Sequence, residues 1–165
     1  MKSTLQACAV PTREGTFLAY YSDKGLAQLD FPTGKTPKSA DLTTPELKRW
    51  HKVTTRAIEQ VITGKPITEL PPLDLSAGTD FQRNVWGALR KISCGKTKSY
   101  SEIAISLGKP KGARATGGAC GANPIPLLIP CHRVLASGGK LGGFSGGLDW
   151  KRKLLRRENV THYRE

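Results

Sequence analysis

Ten residues, Ile125-Pro126-Leu127-Leu128-Ile129-Pro130-Cys131-His132-Arg133-Val134, constrain the chain more than any other stretch. A run of Pro, Leu and Ile suits a segment threaded through a core, where each buried aliphatic side chain gains about 1.5–3 kcal/mol. The run ends on a thiol, an imidazole and a guanidinium side by side, groups that an apolar interior accepts only when they are paired or used. A thiol is a nucleophile as thiolate, and a neighbouring base or cation lowers its pKa toward working pH. His132 and Arg133 are the residue types that supply both. The competing reading makes Cys131 a small apolar filler, His132 a satisfied core histidine and Arg133 a surface charge. The rest of the chain decides between the two.

At 165 residues the chain fits one domain, or two small subdomains sharing a core. No apolar run approaches the roughly 18 residues of a membrane span, and Met1 to Gln6 holds one Lys and no apolar stretch of the signal-peptide kind. A cytoplasmic protein without a membrane partner is therefore expected. The four cysteines, Cys8, Cys94, Cys120 and Cys131, lack close spacing and read as free thiols. His51 and Cys8 have no spaced ligand partners, so no metal site and no cofactor are expected. The formal net charge of +13 is unevenly spread: residues 1–78 carry 10 Lys+Arg against 8 Asp+Glu, and residues 79–165 carry 16 against 5. That asymmetry points to a polyanion-binding face on the second half, with nucleic acid the leading partner. A solvated face that only maintains solubility is the alternative.

Along the chain, residues 4–31 alternate in three runs, 4–10, 15–21 and 25–31, with breakers between them at Pro11 to Gly15 and Ser22 to Gly25. The pattern predicts a three-stranded antiparallel meander. Thr44-Pro45 opens a helix, and Leu47, Trp50, Ala57, Ile58 and Val61 form its apolar stripe. Residues 65–78, with three prolines, read as a linker. Asp80 is expected to cap a second helix carrying Phe81, Val85, Leu89 and Ile92 on one face. Ser99-Tyr100-Ser101-Glu102 is a capping-box pattern opening a short helix to Leu107, with Gly108 as its stop. A small-residue helix follows from Gly112 to Cys120. Helix, short turn and second helix, with basic residues at the turn, have the layout of a helix-turn-helix. Each glycine in that second helix costs about 1 kcal/mol against alanine, which fits a backbone lying close to a groove or to another helix.

With these residues in place, the chain resembles the O6-alkylguanine-DNA alkyltransferases, the methylated-DNA–protein-cysteine methyltransferases. Pro130-Cys131-His132-Arg133-Val134 is similar to their active-site signature. Ser99-Tyr100, Arg114-Ala115-Thr116-Gly117-Gly118-Ala119, Asn123-Pro124, Gly142-Gly143-Phe144-Ser145-Gly146-Gly147 and Leu154-Leu155-Arg156-Arg157-Glu158 follow in the family's order and spacing. The likeness is strong over residues 79–160 and architectural before that. It implies an α+β fold: a ribonuclease-H-like subdomain over 1–78, with a three-stranded sheet and a helix, and a mostly helical DNA-binding and acceptor domain over 79–165.

The function implied is single-turnover repair by a monomer. Duplex DNA is bound through its minor groove, O6-alkylguanine (and, by extension, O4-alkylthymine) is flipped into a pocket, and the alkyl group passes irreversibly to Cys131. By resemblance His132 is the base acting through a water, Glu158 orients it, and Asn123 braces the active-site turn and contacts the base. Tyr100 aids flipping and protonates the departing guanine, and Arg114 fills the vacated stack. Ser99, Lys111, Ala115, Thr116 and Gly117 join the DNA-binding set. Backbone groups of Cys131 and Val134, with Ser145, read the guanine edge, and Phe144, Gly146 and Pro126 complete the pocket.

The residue chemistry agrees with these roles. Displacement at an O-alkyl carbon needs a thiolate in line and a proton for the leaving purine. Glu158 lies four residues beyond Leu154 and eight beyond Trp150, on the apolar face of a helix that also carries Lys151, Arg152, Lys153, Arg156 and Arg157; an inward acid wants a partner. Two positions depart from the family pattern. Phe144 stands where many members carry Tyr, and Thr116 stands where Val is commoner, placing a hydroxyl on the recognition helix. Gly146 and Pro126 leave the pocket rim without large side chains, so alkyl groups bigger than methyl are expected to be tolerated. The rivals are a helix-turn-helix regulator, against which the lack of a ligand-sensing or zinc-bearing segment in these 165 residues argues, a lesion-sensing relative lacking the acceptor, against which Cys131 argues, and a thiol hydrolase, in which Cys and His are usually distant in sequence.

Overall fold

The computed structural model describes residues 4–165; residues 1–3, within the start read above for a targeting segment, lie outside the described residues. Strands β1 (Gln6–Thr12), β2 (Gly15–Tyr21) and β3 (Leu26–Asp30) form an antiparallel sheet in that order. Pro11, read as a breaker, continues β1 opposite Thr16. β1 is an edge strand, where a missing ladder donor is tolerated. The β1–β2 turn is Arg13-Glu14, and Gly15 leaves it at φ +108°, with the Pro32 ring 2.7 Å from where its Cβ would stand.

Helix α1 (Pro45–Ile62) starts as predicted: the Thr44 side chain accepts from the Leu47 amide and Pro45 opens the first turn. Its buried face, including Trp50, Ala57, Ile58 and Val61, belongs to the same core as Val10, Phe17, Ala19 and Tyr21 of the sheet.

Helix α2 (Asp80–Leu89) is capped by Thr79 and not by Asp80. The cause is the residue three positions on: Thr79 has Gln82, whose amide and side chain close a reciprocal box (3.1 and 2.9 Å), whereas Asp80 has Arg83 and pairs with it inside the first turn. Strand β4 (Lys98–Ser99) pairs in parallel with β5 (Val134–Leu135). Helix α3 (Tyr100–Ser106) carries the predicted Ser99–Glu102 box. Helix α4 (Ala113–Gly121) packs on α2 and α3, and the Trp86 indole N–H donates to the Ala119 carbonyl at 2.9 Å.

Helix α5 (Leu148–Arg157) closes the chain's last third. Ile125, Leu127, Leu128 and Ile129 are at most 2% exposed, so the opening segment does thread the core, which is continuous from Cys8 to Leu154. Among the described residues the result is a mixed α/β fold with a three-stranded antiparallel sheet and five α-helices.

Candidate active site

The segment 125–134 is held in an unusual path. Leu127 is buried at φ 72°, a left-handed conformation costing an L residue roughly 1–2 kcal/mol. Asn123 closes a loop across it: its side-chain oxygen accepts from the Ile125 amide at 3.0 Å and its amide donates to the Ile129 carbonyl at 2.8 Å. The chain then makes one 3-10 turn, Cys131–Arg133. Asn123 thus stands where the resemblance requires a brace.

Behind that turn lies a buried ion network. Glu158 is the C-cap of α5, followed by Asn159 at φ 62°, and its carboxylate points inward. It accepts from His132 Nε2 at 3.0 Å, from Arg133 Nε at 3.0 Å and Nη2 at 2.8 Å, and from the Gly95 amide at 3.1 Å. Burial raises its pKa, but the hydrogen bonds and charges of His132 and Arg133 outweigh it and hold the carboxyl at about 2.

Glu158 is therefore ionised at neutral pH and can only accept. His132 must carry its proton on Nε2. Burial of the fully enclosed ring lowers its pKa, so the ring is neutral and Nδ1 presents a lone pair. That nitrogen has no partner among the described protein groups. The arrangement is a base, oriented from behind, with its free nitrogen one residue from a thiol.

Two expectations about the thiol change. Arg133 does not serve Cys131: its guanidinium is committed to Glu158 and, through Nη1, to the Ile92 carbonyl at 2.7 Å. Burial also pushes the Cys131 thiol up, with the Asn123 amide and the Lys151 ammonium pulling the other way. The free protein thus keeps the thiol protonated until a base takes the proton. Cys120, unassigned from sequence, is pushed up to about 12 by burial and by Cys131, with Lys151 acting the other way.

A cavity of about 430 Å³ opens onto the thiol, lined by Tyr100, Gly117, Cys120, Gly121, Cys131, Gly143, Phe144 and Ser145. Five residues predicted from sequence, Tyr100, Gly117, Cys131, Phe144 and Ser145, thereby meet at one place. Burial raises the Tyr100 phenol, which keeps it a proton carrier. Its hydroxyl would lie 3.1 Å from a Cβ at Gly142, where φ is +69°, so only glycine fits there. A larger cavity, about 700 Å³, is lined by Arg133 and Cys94 among others, with the Cys94 thiol also raised by burial; no histidine is among its described lining residues.

Pro126, Val134 and Gly146 do not line the thiol's cavity. Pro126 and Val134 are buried, and the space at Gly146 is taken by the Phe31 ring, 2.6 Å from where a Cβ would stand. The open rim expected at Gly146 is filled by Phe31 from the first half of the chain, and Pro126 is itself buried. Thr116 is likewise corrected: it is fully buried, with its hydroxyl unpartnered, and faces the core instead of an incoming groove. Lys111, Arg114 and Ala115 are exposed beside it, and Ser99 caps α3.

Lys151 is the functional candidate that sequence reasoning missed. It lies three and four residues before Leu154 and Leu155, on their stripe, and that spacing was the available signal.

The family model described as 6-O-methylguanine DNA methyltransferase, DNA binding domain, matches residues 80–160. The chain is 44% identical over 147 residues to a methylated-DNA–protein-cysteine methyltransferase of Methanosarcina barkeri, covering 87% of this chain and 90% of the relative. It is 55% identical over 86 residues to one from Mycobacterium tuberculosis, 52% of each chain. Among solved structures it is similar to the crystal structure of Mycobacterium tuberculosis OGT in complex with DNA, with a TM-score of 0.75, 34% identity and coverage of 93% and 92% of the two chains.

Proposed function

Since the chain belongs to the 6-O-methylguanine DNA methyltransferase family, we propose that it repairs O6-alkylguanine in DNA by carrying the alkyl group away on its own Cys131. The observation that carries this reading is the line Arg133–Glu158–His132, which ends on an unpartnered Nδ1 one residue from a thiol that opens into a cavity. His132 Nδ1 takes the thiol proton through one water, and the sulfur attacks the O-alkyl carbon in line. The C–O bond breaks, its electrons pass into the purine, and Tyr100 donates a proton to the leaving base. The proton held by His132 makes good the one given by Tyr100. Net, the alkyl group ends on sulfur and the thiol proton on guanine. The thioether is not converted back to the thiol, so each chain acts once. The O4-alkyl group of thymine presents the same displacement chemistry.

Reaching the damaged base requires flipping it out of the stack. The exposed edge of α4 with Arg114 and Ala115, Lys111 before it, and Ser99, Tyr100 and Gly117 beside it form the DNA face. We read α3 and α4 as a helix-turn-helix whose small-residue second helix lies in the minor groove, with Arg114 in the vacated stack. Ser145 and the Cys131 and Val134 backbone read the guanine edge, and Phe144 gives apolar contact. Residues 1–78 form the ribonuclease-H-like subdomain, and residues 79–165 form the DNA-binding and acceptor domain of a cytoplasmic monomer.

Incubation with duplex DNA carrying labelled O6-methylguanine, followed by intact-mass and peptide analysis, tests the reading. One methyl per chain on Cys131, absent in Cys131→Ala, is the expected result. Label released as methanol, or repeated turnover, would mark a hydrolase instead.

A further inference from the structure

Lys151 is a charged residue of α5 with 0% exposure, and no carboxylate pairs with it among the described residues. Its Nζ donates instead to three backbone carbonyls: Val134 at 2.7 Å, Gly143 at 3.2 Å, and Leu141. An ammonium has three donors, and all three are used. A buried cation facing only neutral acceptors is costly. Burial lowers Lys151 to about 8, with Cys131 and Cys120 acting the other way, so it remains mostly charged at neutral pH. A leucine would fill this place without that cost. What leucine lacks is the three donors and the charge.

The carbonyls belong to two different segments. Val134 directly follows the turn that carries Cys131; Leu141 and Gly143 lead into Phe144 and Ser145 on the cavity wall. That wall is poor at holding itself, since Gly142 and Gly147 sit at φ +69° and +91° and glycine restricts the chain least. The ammonium's charge acts on the Cys131 and Cys120 thiols and on the neutral His132 ring; the Arg133 charge is already matched by Glu158.

We propose that Lys151 is a positioning residue for the transfer: its ammonium fastens the cavity wall to the acceptor segment, and its charge favours the Cys131 thiolate that forms when His132 takes the proton. This rests on Cys131 being the acceptor.

Two variants separate the effects. Lys151→Met removes donors and charge, and Lys151→Gln keeps two donors without charge. Each is compared with the parent for its methyl-transfer rate from O6-methylguanine duplex, for the pH profile of Cys131 capping by iodoacetamide, and for folding by near-UV circular dichroism. The Met variant is expected to transfer on the order of 100-fold more slowly, as a misplacement of about 1 Å does, with its capping profile moved to higher pH. The Gln variant is expected to regain part of the transfer rate and keep the moved profile. A folded Met variant with the parent's rate and profile overturns the proposal.

Should neither variant fold, the parent protein still decides. The Lys151 ammonium signal in isotope-edited NMR is expected to shift when iodoacetamide caps Cys131, and a signal indifferent to capping overturns the proposal. Capping needs no DNA, so a parent that fails to take methyl from DNA refutes the repair reading separately.

Discussion

Replacing Glu158 by glutamine keeps the shape of the side chain and removes its charge, leaving the buried Arg133 guanidinium without a counter-ion. The carboxyl pKa falls from 4.5 in the unfolded chain to about 2 in the folded one. At about 1.36 kcal/mol per unit, the ionised carboxylate contributes roughly 3 kcal/mol at neutral pH. Truncating one member of a buried ion pair costs about 3–5 kcal/mol, which agrees. Because the folded pKa is the lower one, this stability is complete above 4.5 and is lost as pH falls from 4.5 through 2. A protonated Glu158 and the glutamine that replaces it are near-isosteres, so the two proteins must converge in acid. Glu14, also held near 2 by Lys153 and Arg157, titrates in both and cancels in the difference. Urea unfolding of parent and Glu158→Gln across this range is the assay. The expected gap is about 3 kcal/mol at neutral pH, falling to roughly half near pH 3. A gap below about 1 kcal/mol at neutral pH, or one that does not narrow in acid, refutes the view that the network holds a charged carboxylate.

Thr116→Val removes a buried hydroxyl that has no partner and is expected to stabilise by about 1 kcal/mol, raising Tm by roughly 2–4 °C in calorimetry, with DNA affinity unchanged; a lowered Tm contradicts the burial argument. Gly146→Ala drives a methyl into the Phe31 ring and is expected to destabilise by about 1–3 kcal/mol, with Phe31→Leu in the same chain restoring part of the loss in denaturant unfolding; an unrescued double variant denies the contact its role. Arg114→Ala is expected to slow transfer from duplex DNA on the order of 10-fold, the loss of about 1.4 kcal/mol, while iodoacetamide capping of Cys131 stays at the parent's rate; slowed capping would place Arg114 in the site instead of on the DNA face.

What the sequence disclosed follows the range of the forces involved. The meander was legible because a half-buried strand alternates with period two, and Thr44-Pro45 and Ser99–Glu102 because caps are settled within four residues. The cap of α2 was legible too, but needed the test of its third residue, which Gln82 passes for Thr79 and Arg83 fails for Asp80. Cys131, His132, Arg133 and Glu158 stood out because polar and charged groups in an apolar stretch demand a partner. Contacts between distant segments left no local trace: Phe31 against Gly146 spans more than a hundred residues. The thiol shows the same limit more sharply. A local rule, cations beside a cysteine, predicts a lowered pKa, but Arg133 turns to Glu158, and burial, a property of the whole fold, raises it instead.

In the proposed reaction every reacting group comes from the second half of the chain, yet the site's geometry depends on the first. Glu14, in the β1–β2 turn, accepts from Lys153 and Arg157 on α5, and Arg157 also donates to the Ile62 carbonyl at the end of α1. These bonds fix α5 immediately before Glu158, the residue that sets the His132 tautomer. Phe31, just past β3, packs on Phe144 with ring centroids 5.6 Å apart and on Trp150 at 5.2 Å, so the same sheet also backs the cavity wall. One end of the proposed proton path and one wall of the pocket are thus referenced to a single sheet. Small errors in either would separate sulfur, base and alkyl carbon by distances that matter to a reaction needing contact of about 3–3.5 Å. In the proposed reaction, the acidic and aromatic groups of the first half are what lets a buried thiol, raised in pKa, meet its base and its substrate together.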